Sequence, residues 1–332
     1  MTQNITVLGA GSWGTALGLL LARNGHPVTL WGRNAEHMQT MAQKRCNPYF
    51  LADFTFPDNL NVTVDLDTAM QSADLVLIAI PSEGFRNLLK TIKPLLKKTT
   101  NLIYTTKGLE SGSHKLLHQV IEEELGTQIN TALLTGPSFA RDVAANLPTA
   151  VVIASANQSY ANDLIKLFAN QHFRPYYTHD VIGAEVGGAI KNVMAIGAGI
   201  SDGLGFGANA RAALITRGLH EMTQLGLALG AQRETFTGLS GLGDLVLTCT
   251  DNLSRNRRFG LALGQGKTID AALKDIGQVV EGATNAQQVH ELAKQYQIDM
   301  PLTEQVCNVL LGTSTPRQAV ECLFERKLKA EH

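Results

Sequence analysis

Gly9-Ala10-Gly11-Ser12-Trp13-Gly14, directly after the apolar-leaning run Ile5-Thr6-Val7-Leu8, is the stretch that decides the fold. Its spacing is GxGxxG, set between a predicted strand and a predicted helix. Each glycine answers a steric demand. Gly9 permits a tight turn, Gly11 lets backbone approach a pyrophosphate, and Gly14 lets helix pack on strand. The first helical turn offers unbonded N–H groups to the anion. Glycines cluster in plain turns too, so the context carries the reading: a strand before, a helix after, and a place at the start of the chain.

Outward from this turn, residues 5–8, 28–31, 75–80, 102–105, 132–135, 150–154 and 173–177 read as strands. The run 75–80, ending before Pro81, is apolar throughout, as expected of a central strand covered on both faces. Helical patterns at 14–24 and 115–125 lie between, the second stopped by Gly126. Such alternation predicts a mostly parallel, doubly wound sheet. After about residue 178 β-branched runs thin out. Long helical patterns follow at 185–200, 210–229, 269–276, 282–296, 302–311 and 316–327. The last opens with Thr315-Pro316-Arg317-Gln318, a capping box with proline at the first helical position. The expected organisation is an α/β, Rossmann-type dinucleotide-binding domain over residues 1–180 and an all-α substrate-binding and catalytic domain over 181–332.

The chain has 332 residues, enough for two cores, with 44% hydrophobic residues, 17% charged residues and a formal net charge of −1. Near-neutrality argues against a nucleic-acid partner, which would demand a surplus of Lys and Arg. Four scattered cysteines share no CxxC spacing, so neither a metal site nor a disulfide framework is expected, and a reducing compartment fits better. The N-terminus carries no basic leader and no long apolar segment, and no apolar run approaches the ~20 residues that a membrane span requires. The expectation is a cytoplasmic protein with no membrane span. The apolar, glycine-rich helices suit a homodimer interface or packing against the first domain equally well.

The second strand bears on the cofactor. A carboxylate about 20 residues after the glycine turn normally binds the ribose hydroxyls of NAD. Here the sequence reads Trp31-Gly32-Arg33-Asn34. A guanidinium at that place suits the 2′-phosphate of NADP, although a solvated loop arginine would read the same. The expected cofactor is NADP(H), NAD(H) or both.

Five segments carry candidate chemistry. Lys107, in Thr105-Thr106-Lys107-Gly108-Leu109-Glu110, follows a predicted strand, where open α/β sheets bind ligands; it could hold an anion or polarise a carbonyl, or be a surface lysine before a turn. Gly136-Pro137-Ser138-Phe139-Ala140 also follows a strand and doubles as an ordinary turn sequence. In the predicted helix from Glu185 to Ile200, only Glu185, Lys191 and Asn192 are neither small nor apolar. Its interior glycines cost roughly 0.8–1 kcal/mol each relative to alanine, which predicts that another backbone packs close. Lys191 in such a helix is buried, so it either pairs with an acid or loses its proton more readily, the condition of a general acid/base. Asp244, in a glycine-rich apolar stretch, could orient that ammonium. Ser254-Arg255-Asn256 gathers a hydroxyl, a guanidinium and an amide suited to a phosphate dianion, while Arg257 and Arg258 read as a solvated basic turn.

Taken in order, GAGSWGTALG, TKGLE, LTGPSFA, EVGGAIKNVMAIGAGISDGL, GLSGLGDLVLTC, SRNRRFG and VVEG resemble the successive motifs of the bacterial NAD(P)-dependent glycerol-3-phosphate dehydrogenases. The match runs from residue 5 to about 285. It implies an enzyme that interconverts sn-glycerol 3-phosphate and dihydroxyacetone phosphate and supplies glycerol 3-phosphate for phospholipid synthesis. By position it implies Lys191 as proton donor and acceptor, with Lys107 and Asp244 in the polar network. Lys107, Gly136, Ser138, Lys191, Asp244, Ser254, Arg255 and Asn256 would bind the small phosphorylated substrate. For the cofactor it adds Ser12, Trp13, Arg33, Lys107, Ala140, Arg255, Val279 and Glu281 to Gly9, Gly11 and Gly14. Two rival readings share much of this logic. One is a related two-domain hydroxyacid dehydrogenase or ketopantoate-type reductase, in which the Ser254–Asn256 cluster would clamp a carboxylate. The other is a non-catalytic NADP(H)-binding regulator, which has no need of a buried lysine.

Overall fold

The computed structural model describes residues 2–327, so residues 328–332 of the expected second domain lie outside the described residues. Contacts divide the chain into two compact units, one holding residues up to 110 together with 115–185, the other 111–114 together with those from 186 on.

The first unit is one eight-stranded sheet: β1 (Ile5–Leu8), β2 (Val28–Trp31), β3 (Leu60–Thr63), β4 (Leu75–Ile78), β5 (Asn101–Tyr104), β6 (Thr131–Thr135), β7 (Thr149–Ala154) and β8 (Phe173–Thr178). Their order is β3-β2-β1-β4-β5-β6-β7-β8, and every pairing is parallel except β6 with β7. The chain therefore winds one way from β1 to β3 and the other way from β4, which places the topological switch beside β1. The helices are α1 (Ser12–Arg23), α2 (Ala35–Lys44), α3 (Leu66–Gln71), α4 (Phe85–Ile92), α5 (Leu117–Leu125), α6 (Ala140–Ala144) and α7 (Gln158–Phe168). All residues of α1 from Gly14 to Ala22 are buried, because this helix lies under α6 as well as on the sheet.

Two strand readings change. β3 was not expected, since only Leu60 of Leu60-Asn-Val-Thr63 is buried in this edge strand, and the run lacks an apolar signature. β4 ends at Ile78 rather than at residue 80. Beyond it the chain closes over the glycine turn, with Ala79 O where a Cβ on Gly9 would fall, 2.4 Å away.

The second unit is helical. α8 (Val181–Gly203) starts in the last residues of the first unit and runs into the second, followed by α9 (Gly207–Ala228), α10 (Arg233–Thr237), a π turn (Leu239–Gly243), α11 (Asp244–Thr250), α12 (Arg255–Gly264), α13 (Ile269–Ile276), α14 (Glu281–Gln295), α15 (Pro301–Leu310) and α16 (Pro316–Phe324). The capping box forms at α16, with Thr315 and Gln318 bonding reciprocally. α8 is buried without interruption from residue 183 to 201. Its glycines are explained by close backbone approach: a Cβ on Gly199 would lie 2.1 Å from Arg257 O, and one on Gly187 would lie 2.4 Å from Ser240 O. α8 has the length and mean hydropathy of a membrane span, but it carries Glu185, Lys191 and Asp202, and 83% of its most apolar 18-residue stretch is buried inside the protein. It is the core helix of this fold.

Candidate active site

In the first unit, β1, β2, β5 and β6 run parallel, so their carboxyl ends share one edge. Gly9, Arg33, Lys107 and Gly136 all stand just past those ends. The glycine turn has the geometry its spacing predicts. Gly9 sits at φ +124°, and a Cβ on Gly14 would lie 1.9 Å from Gly9 O. Around Gly11 nothing lies within 4 Å of a Cβ position, so backbone faces open space where a pyrophosphate would approach. Among the described residues no side chain caps α1, whose N-cap is Gly11. These features fit a dinucleotide phosphate. Arg33 is exposed at the head of α2, whose N-cap Asn34 accepts from His37 N at 2.9 Å.

The Lys107 loop is anchored by its two threonines. Thr105 Oγ1 donates to Ile78 O at 3.2 Å, and Thr106 Oγ1 to Ile80 O at 2.7 Å. Lys107 itself is half-buried. Gly136 takes φ +118°, and Ser138 Oγ donates to Gly136 O at 3.0 Å, closing a tight turn ahead of Ala140, the first residue of α6.

In the second unit the two outcomes open to Lys191 are resolved: the lysine pairs with an acid. Its Nζ lies 2.5 Å from Asp244 Oδ1 and 3.0 Å from Thr248 Oγ1. Lys191 is 7% exposed and Asp244 1%. Thr248 Oγ1 spends its one proton on Asp244 O at 2.6 Å, leaving a lone pair for the ammonium. Asp244 opens α11 directly after the π turn, an irregularity that recurs at functional sites. Thr248 escaped the sequence reading. Its signal is the i,i+4 spacing from Asp244, visible once α11 is known to start there.

A second polar chain begins one residue along α8. Asn192 Nδ2 donates to Glu281 Oε2 at 3.2 Å, Asn256 Nδ2 donates to Asn192 Oδ1 at 3.0 Å, and Gly282 N donates to Asn256 Oδ1 at 2.9 Å. The amino ends of α12 and α14 are thereby tied to α8. Ser254 is the N-cap of α12 and accepts from Arg257 N at 3.2 Å. Arg255, half-buried at the first position of α12, reaches Gln278 Oε1 at 3.5 Å. Val279 is 50% exposed. The basic-turn reading is corrected, since both arginines lie in α12: Arg258 is exposed, as expected, but Arg257 is buried and pairs with Asp202. Successive helical residues point about 100° apart, so only one of the two faces solvent.

Among the described residues, Lys191, Asp244, Ser254, Arg255, Asn256 and Glu281 belong to the second unit, and Gly9 to Gly14, Arg33, Lys107, Gly136, Ser138 and Ala140 to the first.

Comparison with known proteins identifies a family. Residues 4–161 match the family model for the N-terminus of NAD-dependent glycerol-3-phosphate dehydrogenase, and residues 180–321 match that for its C-terminus. The chain is 52% identical over 329 residues, covering 99% of itself and 97% of the relative, to the glycerol-3-phosphate dehydrogenase [NAD(P)+] of Shigella boydii serotype 18. The same identity and coverage hold for the enzyme of that name from Escherichia coli O1:K1. A crystal structure of glycerol-3-phosphate dehydrogenase from Coxiella burnetii superposes with a TM-score of 0.95 at 49% identity, over 98% of this chain and 99% of that one. A ketopantoate reductase from Ralstonia eutropha, with TM-score 0.62 and 18% identity over 96% of this chain and 99% of that one, shares the fold alone.

Proposed function

The chain belongs to the NAD-dependent glycerol-3-phosphate dehydrogenase family, and on that membership we propose that it is an oxidoreductase interconverting sn-glycerol 3-phosphate and dihydroxyacetone phosphate with NAD(P)(H). When bound, the dinucleotide exchanges a hydride between nicotinamide C4 and substrate C2. The protein supplies the proton and the geometry.

Lys191 is the proton donor. As an ammonium it protonates the C2 oxygen while the ketone is reduced; as an amine it takes the hydroxyl proton in the reverse direction. Asp244 and Thr248 hold Nζ from two sides, so the long side chain has few rotamers left to lose when substrate binds. Arg255, with the Ser254 hydroxyl and the Asn256 amide, takes the substrate phosphate at the amino end of α12, where the helix dipole favours a dianion. Binding energy gathered there, away from C2, aligns the carbonyl. Lys107, Gly136 and Ser138 complete the contacts to the three-carbon phosphate. On the cofactor side the N–H groups of the first α1 turn bind the pyrophosphate beside Ser12 and Trp13. Arg33 binds a 2′-phosphate where one is present, and Ala140, Val279 and Glu281 make the remaining dinucleotide contacts.

The observation that carries this reading is the ion pair between Lys191 on α8 and Asp244 at the start of α11, both nearly sealed from solvent. A spectrophotometric assay tests it. With dihydroxyacetone phosphate, NADPH or NADH is oxidised; with ketopantoate neither is. Turnover of ketopantoate at a comparable kcat/KM would transfer the chain to the rival substrate class.

A further inference from the structure

Asn47 lies in the segment between α2 and β3 and is completely buried. Its amide reaches in two directions. Nδ2 donates to Ala10 O at 3.0 Å, inside the glycine turn, and to Thr15 Oγ1 at 2.8 Å, in the first turns of α1. Oδ1 faces His37 Nε2 at 3.0 Å. A carbonyl oxygen cannot donate, so the bond to Ala10 O fixes the orientation of the amide. Oδ1 can then only accept, which puts a proton on His37 Nε2. His37 in turn occupies the first turn of α2, four residues after Arg33, with its backbone N–H capped by Asn34. Its ring is held edge-on by Tyr49 and Phe50, at centroid distances of 4.9 and 5.7 Å.

One side chain therefore ties together three places: the Ala10 carbonyl of the glycine turn, the Thr15 hydroxyl near the start of α1 and the His37 ring in the first turn of α2. The first of these needs outside support. Glycine imposes almost no conformational preference of its own, so a turn with three glycines in six residues takes its order from its neighbours, and whatever order is left for the ligand to impose costs affinity. We propose that Asn47 is a positioning residue for the dinucleotide. It holds the pyrophosphate turn in its binding conformation and, through His37, couples that turn to the α2 start that presents Arg33. Pyrophosphate and adenosine-end recognition are then set by one buried amide. This inference rests on reading Gly9–Gly14 as the dinucleotide turn, and wild-type binding checks that reading separately.

The experiment titrates the full-length protein with NADPH and with NADH by calorimetry, alongside steady-state kinetics and thermal melting, for the wild type, Asn47→Ala, His37→Ala and the double variant. Asn47→Ala is expected to weaken both dinucleotides about tenfold, the size of a lost buried hydrogen-bond set. The kcat at saturating cofactor and the KM for dihydroxyacetone phosphate should stay within about twofold. His37→Ala is expected to have a smaller effect, and the double variant to bind no worse than Asn47→Ala, because groups in one network do not add. A lowered melting temperature with dinucleotide affinity unchanged would make Asn47 purely structural and overturn the proposal. So would a fall in kcat with both KM values unmoved. If Asn47→Ala does not fold, the cycle of Thr15→Val and His37→Ala reads the same coupling through the intact Asn47, and strictly additive losses overturn it. Failure of the wild type to bind either dinucleotide would instead remove the cofactor reading on which the proposal stands.

Discussion

The glycine turn of the first unit and the Lys191 centre of the second are opposite kinds of construction. The turn is made by leaving side chains out: open space at Gly11, and backbone contacts at Gly9 and Gly14 that no Cβ could enter. The centre is made by bringing side chains in: an ammonium, a carboxylate and a hydroxyl, all nearly sealed from solvent. Backbone can bind an anion without any group changing its protonation, which suits a cofactor that is held and released whole. Moving a proton demands a titratable group, and burying one demands a partner. The two regions therefore fail differently, the first when atoms are added and the second when one partner is taken away.

The sharpest break in that contrast is Lys191→Ala. Loss of a positioned general acid should lower kcat by about 10²–10⁴-fold, while calorimetric affinity for NADPH should stay near wild type because the glycine turn is untouched. Asp244→Ala comes next. It strands a buried ammonium, and urea unfolding should show a loss of about 3–5 kcal/mol; a stability within error of wild type would mean the pair is not buried in solution.

Glu221 sharpens the comparison, since it is a buried charge whose partners are dipoles rather than an ion. Its carboxylate, 3% exposed on α9, accepts from Leu302 N, Thr303 N and Thr303 Oγ1 at the start of α15. Burial outweighs those bonds and pushes its pKa up to about 7. An acid raised in the folded state stabilises least where it is ionised. Relative to Glu221→Gln, the wild type should lose on the order of 2 kcal/mol between pH 5 and pH 7. Identical pH slopes for the two proteins would show that the donors at α15 dominate instead. The smallest effect is expected at the exposed Arg33, where Arg33→Ala should weaken NADPH roughly tenfold, the scale of one charged hydrogen bond, with little change for NADH. Equal losses for both would defeat the 2′-phosphate assignment, and no loss for either would assign Arg33 to solvent.

The same contrast explains what the sequence could reveal. A site made of absent side chains is written in consecutive residues, so Gly9–Gly14 declares itself, and with it β1, α1 and the parallel sheet. Lys191 is legible because a charge inside an apolar 3.6-residue period is conspicuous. Its partners are harder to see. Asp244 stood out in an apolar stretch, but Thr248 depends on a helix whose start is disguised by the glycine-rich π turn. Asn192 and Asn256 meet only in three dimensions, across 64 residues. Asn47 lies in an irregular segment with no periodicity to mark it, and its importance comes wholly from the carbonyl and the imidazole it bridges. β3 was missed for a local reason, an edge strand with one fully buried residue.

On the reading proposed above, the ammonium of Lys191 gives its proton to the C2 oxygen as the ketone is reduced, and the amine takes it back in the reverse direction. A crystal structure of the ternary complex with NADP⁺ and glycerol 3-phosphate addresses it most directly. Nζ should lie within about 2.6–3.2 Å of the C2 oxygen, the range of a working hydrogen bond, with Asp244 still paired and the phosphate on Arg255. A C2 oxygen hydrogen-bonded to some other titratable group, with Nζ engaged only by Asp244 and Thr248, would contradict it.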